Sequence, residues 1–307
     1  MEIFYKLTVL NMKSTMKTKL ISSFLFFVIL IALILTSSYA SLAISKITGG
    51  ADKKIENHIR PLNTLKKIPD DTIDLAFIGD SLVMTGIDPT LADKKTGMNS
   101  VVLSSPGMTI IEAYHAFHEL LKRQNPRVIM FETDVLYYGG NIDRTKELLS
   151  DRIDKTFPIF FYHDTWKNFF SKPEKSDVNI KGYTPLTTVY PKAPDMNYMR
   201  PSGNALAFSF FNRRIMNKII AECKEKNIAL CLYSSVCPMH YSMERHNALS
   251  IYAEQNSLPF IDLNMPDKKV SIDPHTDFSD NGEHLNSSGA GKSTEALLKE
   301  MQSLSLS

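Results

Sequence analysis

The stretch that most constrains this chain is Leu75 to Pro89, LAFIGDSLVMTGIDP, an apolar run that stops at Gly79-Asp80-Ser81. A strand buried on both faces of a parallel sheet is written as a continuous apolar run rather than an alternating one. A Gly straight after it permits a tight turn that projects the next side chains outward. Ser81 is thereby placed at the carboxyl end of a strand, the edge of an open α/β sheet where ligands bind. An exposed hydroxyl there is a candidate nucleophile, and equally an ordinary cap for the helix that follows. The tripeptide alone does not separate the two.

The segments downstream repeat the theme. Ser100 to Leu103 is a second short apolar piece, closed by the turn-forming cluster Ser104-Ser105-Pro106-Gly107. From Thr109, a helix cap, the residues Ile110, Ala113, Tyr114, Phe117, Leu120 and Leu121 recur at helical spacing until Asn125-Pro126 stops them. Arg127 to Phe131 is a third buried strand, ending at Glu132-Thr133-Asp134. Strand, helix and strand at these lengths predict a right-handed parallel crossover. Residues 139–204 then break the alternation with Gly139-Gly140, further prolines and aromatics such as Phe160, Phe161, Tyr162, Trp166 and Tyr183, and read as a lid-like insertion. The pattern resumes with a helix over 204–226, a strand over 228–233, a helix over 242–256, a short strand over 259–263 and a last helix over 287–303.

Charge excludes one class of partner. Lys plus Arg number 35 against 33 for Asp plus Glu, a net charge of +2, so no basic field argues for nucleic acid. The three cysteines, Cys223, Cys231 and Cys237, lack metal-site spacing and read as small core hydrophobes, with a Cys231–Cys237 pair left open outside the cytoplasm. Leu20 to Leu35 is apolar apart from Ser22 and Ser23 and follows Lys13, Lys17 and Lys19, which favour a cytoplasmic amino end. Residues 1–44 are therefore expected to be a cytoplasmic stub and signal anchor, with cleavage near Ser38-Tyr39-Ala40 as the alternative; 45–71 form a juxtamembrane lead-in, and 72–307 form an extracytoplasmic domain.

A polar, turn-rich segment, Asp277 to Thr294, precedes the last helix and supplies His284. A loop His beside acids is a candidate general base, and equally a solvated surface His. Gly291-Lys292-Ser293 in the same segment is not a phosphate loop, because the required first Gly falls at Asn286 and no strand precedes it. His115 and His118 share a helix face without an identifiable third ligand, so no metal site is expected. His246 begins the helix after the fourth strand, within conceivable reach of a substrate, while His240 and His275 remain unassigned loop residues.

Taken in order, Gly79-Asp80-Ser81 after the first strand, Pro106-Gly107 after the second, the acidic end of the third, and His284-Leu285-Asn286 before the last helix resemble the SGNH (GDSL-type) hydrolase family. The likeness runs over roughly residues 72 to 303 and is closest to a membrane-anchored bacterial branch with esterase-like and envelope acyltransferase-like members. It implies a three-layer α/β/α sandwich around a parallel, flavodoxin-like sheet, with Ser81 as nucleophile, His284 as base and the Ser81 and Gly107 N–H groups as an oxyanion hole. No cofactor is implied. Lys181-Gly182-Tyr183 resembles a turn seen in that branch.

Two positions depart from the family pattern. Where an Asp three residues before the His is usual, this chain has Asn281, so either a bulged loop lets Asp280 orient His284 or the pair works as a dyad. Where an Asn oxyanion donor is usual, the third strand ends Glu132-Thr133-Asp134, and Asn141 is the candidate replacement. The expectation is a serine-dependent esterase or acyltransferase acting on an acyl-ester small molecule or polysaccharide, such as an O-acylated envelope carbohydrate. The competing expectation is a catalytically degenerate scaffold that binds envelope partner proteins.

Overall fold

The computed structural model describes residues 18–19, 21–37, 39–40, 60–138, 179–268 and 270–305. The chain divides into two units, Met1–Lys54 with Lys146–Pro173, and Ile55–Thr145 with Glu174–Ser307. In the first, residues 21–37 are helical and their apolar side chains are largely exposed. Among the described residues no helix is long and apolar enough to cross a membrane. The sheet and its flanking helices belong to the second unit.

There, β1 (Leu75–Gly79), β2 (Ser100–Ser104), β3 (Val128–Glu132), β4 (Ala229–Ser234) and β5 (Phe260–Asp262) pair in parallel in the order β2-β1-β3-β4-β5. This is the flavodoxin-type order, whose switch point lies between β1 and β3. Strand residues alternate between faces, and each face has its own helices. Ala76, Ile78, Ile129, Phe131, Leu230 and Leu232 pack with residues of α3 (Ile110–Arg123), α4 (Phe210–Glu225) and α5 (Met243–Gln255). Leu75, Phe77, Val128, Met130, Cys231 and Tyr233 pack with residues of α1 (Ser81–Gly86), α2 (Pro89–Thr96) and α6 (Ser287–Ser303). Both sheet faces are thus covered, which is why these strands are apolar throughout. Each fully buried large side chain, such as Phe77 or Phe131, contributes about 1.5–3 kcal/mol.

Local signals explain where the elements begin. Thr109 caps α3 in a reciprocal capping box with Glu112, satisfying two backbone donors at once. Ser209, not Asn204, caps α4 by accepting from Asn212 N, so residues 204–209 stay outside the helix, and Leu206 N donates instead to Glu244 O at 2.8 Å. The three cysteines are free buried thiols, which removes the Cys231–Cys237 alternative. Burial pushes the Cys231 thiol up to about 12.

Within the lid-like span, residues 139–178 lie outside the described residues, and 179–204 form a strap. Ile180 and Tyr183 exchange backbone hydrogen bonds at 2.9 Å around Lys181 and Gly182, whose φ values of 49° and 97° make a type I′ hairpin turn. Lys181 O accepts Val102 N at 2.9 Å, and Lys181 Nζ lies 2.5 Å from Asp93 Oδ2. The hairpin therefore pins the exposed edge of β2, and Gly182 is required because a Cβ there would sit 1.8 Å from Val102 O. Farther on, Leu186 O accepts Ser287 N at 2.7 Å and Tyr190 N donates to Phe278 O at 2.9 Å, which ties the strap to the loop before α6.

Candidate active site

Ser81 stands at the carboxyl end of β1. Gly79 is needed for close approach rather than for its backbone angles: a Cβ at 79 would lie 2.3 Å from Val83 Cγ2 on α1 and 2.6 Å from Glu132 Cβ on β3. Asp80 rather than Ser81 caps α1, its Oδ1 accepting Leu82 N at 2.9 Å. That leaves the Ser81 hydroxyl free of capping, and it meets His284 Nε2 at 2.8 Å.

His284 is delivered by a closed loop. Phe278 and Leu285 bridge in antiparallel fashion, Ser279 N donates to His284 O at 2.9 Å, and Asn286 N donates to Asp277 O at 2.9 Å. Asn286 then caps α6 through Ser288 N and Gly289 N. Asp277, fully buried, accepts from Lys292 Nζ at 2.6 Å and Ser288 Oγ at 2.8 Å, so Lys292 is spent on anchoring this loop.

The additional residue between acid and His is absorbed at Gly282. Its φ of 96° and the Gly282 N to Asp280 O bond of 2.9 Å fold the loop back on itself. Asp280 Oδ2 consequently reaches His284 Nδ1 at 2.5 Å, while Asp280 Oδ1 accepts Glu283 N at 2.8 Å and His284 N at 2.9 Å. Desolvation opposes ionisation of Asp280, but these hydrogen bonds outweigh it and hold the carboxyl below its usual range. The network requires the tautomer with hydrogen on Nδ1, leaving Nε2 to accept the Ser81 proton.

Gly107 lies on the same sheet edge. Gly79 is in register with Ser104, so Ser81 and Gly107 follow neighbouring strand ends. Met108 N donates to Ser105 O at 3.2 Å, and Gly107 has φ of 61°, a turn of type II with Pro106 before it. Asn141 falls outside the described residues.

The end of β3 is more acidic than an oxyanion site calls for. Glu132 and Asp134 are both buried, and Arg245 Nη1 pairs with Asp134 Oδ1. Arg245 also lies 4.3 Å over the Tyr137 ring. Burial, then Asp134, push the Asp80 carboxyl well up; burial, then Asp80 and Asp134, do the same to Glu132.

The other histidines are placed elsewhere. His118 Nε2 lies 3.4 Å from Glu222 Oε1, His115 is exposed, and His240 Nε2 lies 3.1 Å from Glu283 Oε1. His246 Nδ1 is 2.6 Å from Asp262 Oδ2, with Ser250 Oγ 3.3 Å from its Nε2, a second Asp-His-Ser line that sequence reasoning did not single out. Ser250 is inside α5, where backbone N–H groups are committed to the helix and offer no oxyanion donor. Asp280, Glu283 and His284 bring possible metal-ligand atoms within 4.8 Å of one another, a spacing the Asp280–His284 hydrogen bond already explains.

No protein-family model matches the chain, and no curated protein does. Among solved structures it is similar to a GDSL-like lipase from Bacteroides thetaiotaomicron, at 11% identity over 81% of this chain and 98% of that one, with a TM-score of 0.42. A family 3 carbohydrate esterase from Clostridium thermocellum has 15% identity over 76% of this chain and 97% of its own, TM-score 0.41. A psychrotrophic esterase from Pseudoalteromonas has 10% identity over 76% and 99%, TM-score 0.41. In the chain's own residues, Ser81 follows β1, Gly107 follows β2 and His284 precedes α6.

Proposed function

We propose that this protein is an SGNH-type serine ester hydrolase. The observation that carries the reading is the unbroken line from Asp280 through His284 to Ser81, at 2.5 and 2.8 Å. In this reading Ser81 Oγ attacks the ester carbonyl as His284 Nε2 takes its proton, and Asp280 balances the imidazolium that forms. The oxyanion is held by the Ser81 and Gly107 N–H groups, an interaction that supplies a few kcal/mol in such sites. His284 then returns the proton to the departing alkoxide, and a second nucleophile relieves the acyl-enzyme. Water in that role makes an esterase; a sugar hydroxyl makes an acyltransferase.

The substrate class we propose is an O-acylated carbohydrate or similar ester of the cell envelope. Its basis is the anchor expected from the sequence alone: Leu20 to Leu35, apolar apart from Ser22 and Ser23 and preceded by lysines, would hold the catalytic unit outside the cytoplasm. The amino-terminal sequence of the mature protein tests this, since a start near Ser41 would replace an anchor by a cleaved signal. An aligned Asp-His-Ser line favours chemistry over the degenerate-scaffold alternative. Hydrolysis of p-nitrophenyl acetate, lost in Ser81→Ala, tests the activity.

A further inference from the structure

Beneath the nucleophile's turn lies a group of carboxyls that the hydrolytic scheme does not use. Asp80, Glu132 and Asp134 are 1%, 1% and 6% exposed. Gly79 brings them together, because the absence of a side chain there lets Glu132 pack against the strand end that carries Asp80 and Ser81. Glu132 spends its oxygens on backbone donors, Oε2 on Asp134 N at 2.7 Å and Oε1 on Ser235 N at 3.3 Å. Asp134 pairs with Arg245, whose side chain is 17% exposed. Asp80 is different: Oδ1 caps α1, while Oδ2 is buried without a hydrogen-bond partner among the described residues, beside the Asp134 carboxyl. A buried oxygen of that kind is costly as an anion and satisfied as a hydroxyl.

We propose that Asp80 works as a neutral carboxyl whose Oδ2–H is donated to Asp134, and that Asp80, Asp134 and Arg245 act together as positioning residues for Ser81. Arg245 pairs with Asp134, the Asp134 charge acts against the buried Asp80 carboxyl, and Asp80 Oδ1 caps the first turn of α1, where Ser81 is the first residue. Ionising Asp80 would set a second buried negative charge against Asp134 at the cap of the helix that Ser81 begins. The groups that act on Asp80 mostly share this sense: Glu132 at the end of β3, Asp134 in the turn after it, Tyr138 beyond it, Tyr233 from β4 and Glu283 from the His284 loop, with Arg245 from α5 as the opposing charge on Asp134. The inference rests on the proposed hydrolase reading for its consequence, though not for its structural test.

Asp80→Asn separates the possibilities, because an amide keeps the acceptor for Leu82 N and supplies a permanent donor toward Asp134. Denaturation midpoints of wild type and D80N are compared from about pH 5 to about pH 9. A carboxyl whose folded affinity for protons exceeds its unfolded one contributes stability that is lost as pH rises, so the wild type declines more steeply than D80N. Equal slopes, or a D80N chain that does not fold, overturn the proposal. In parallel, the rate of Ser81 labelling by a fluorophosphonate is followed over the same range. The D80N reaction persists to higher pH than the wild type's; coincident alkaline limbs count against the proposal. Absence of labelling in the wild type overturns the hydrolase reading instead, and the denaturation slopes still decide the protonation of Asp80.

Discussion

Two aspartates stand on either side of the Ser81–His284 hydrogen bond, and the protein treats them in opposite ways. Asp280 accepts two backbone N–H groups and the His284 Nδ1–H, and its carboxyl is held below its usual range against the cost of desolvation. Asp80 accepts a single side-chain-directed N–H, from Leu82, and sits fully buried with Glu132 and Asp134, so its carboxyl is driven upward. Identical side chains are thus set apart by donor supply and burial: one carboxyl is held down beside His284, the other is pushed up beneath the Ser81 turn. The loop around Asp280 supplies donors because Gly282 turns the backbone inward, whereas the end of β3 brings further acceptors.

That contrast can be attacked in order of expected effect on turnover. Ser81→Ala removes the group both aspartates serve, and ester hydrolysis should fall by about 10⁶-fold. Asp280→Asn keeps the shape but surrenders the charge and favours the wrong tautomer, with a loss of about 10⁴-fold in kcat. A loss under about tenfold would mean that His284 works as a dyad with Ser81. Gly282→Ala forces a side chain into φ of 96° and to within 2.7 Å of Pro194 Cβ, which should cost about 1–3 kcal/mol of stability and lower kcat by misplacing Asp280. Gly182→Ala, away from the site, should lower the Tm by clashing with Val102 O while leaving kcat/KM of the folded fraction within about twofold of wild type.

The two aspartates also predict opposite pH responses of stability. Asp280, depressed in the folded protein, contributes stability above its ordinary value of 3.8 that is lost as pH falls through the folded value. Acid unfolding followed by circular dichroism should therefore be shallower in Asp280→Asn than in wild type, the acid-side counterpart of the flatter alkaline dependence expected for Asp80→Asn.

Much of this arrangement is legible in the sequence. The apolar runs that become β1 to β5 are continuous because the sheet is covered on both faces, and the Thr109 and Ser242 caps mark their helices directly. The short helices α1 and α2 are only partly legible: the Ser81 turn reads as the start of a helix, but SLVMTG is too brief to show a helical period and PTLADKKT has few apolar residues to repeat. The reach of Asp280 depends on a positive φ at Gly282, a property of the loop's packing against Pro194 and Pro238 that spacing does not carry. The same holds for Lys181-Gly182-Tyr183, whose hairpin gains its role only from lying on the β2 edge. The acids after β3 read as an intrusion on an oxyanion site; that they are buried against Asp80 and balanced by Arg245 is visible only once β1, β3 and α5 are assembled.

The central claim is that Ser81 is a nucleophile activated by His284. Incubation of the purified protein with a serine-directed fluorophosphonate, followed by mass spectrometry of the labelled peptide, addresses it most directly. The account predicts one adduct, on Ser81, formed more slowly in His284→Gln by about 10²-fold or more, the contribution of a positioned general base. A folded protein that forms no adduct at Ser81 at any pH from about 6 to about 9 would contradict it.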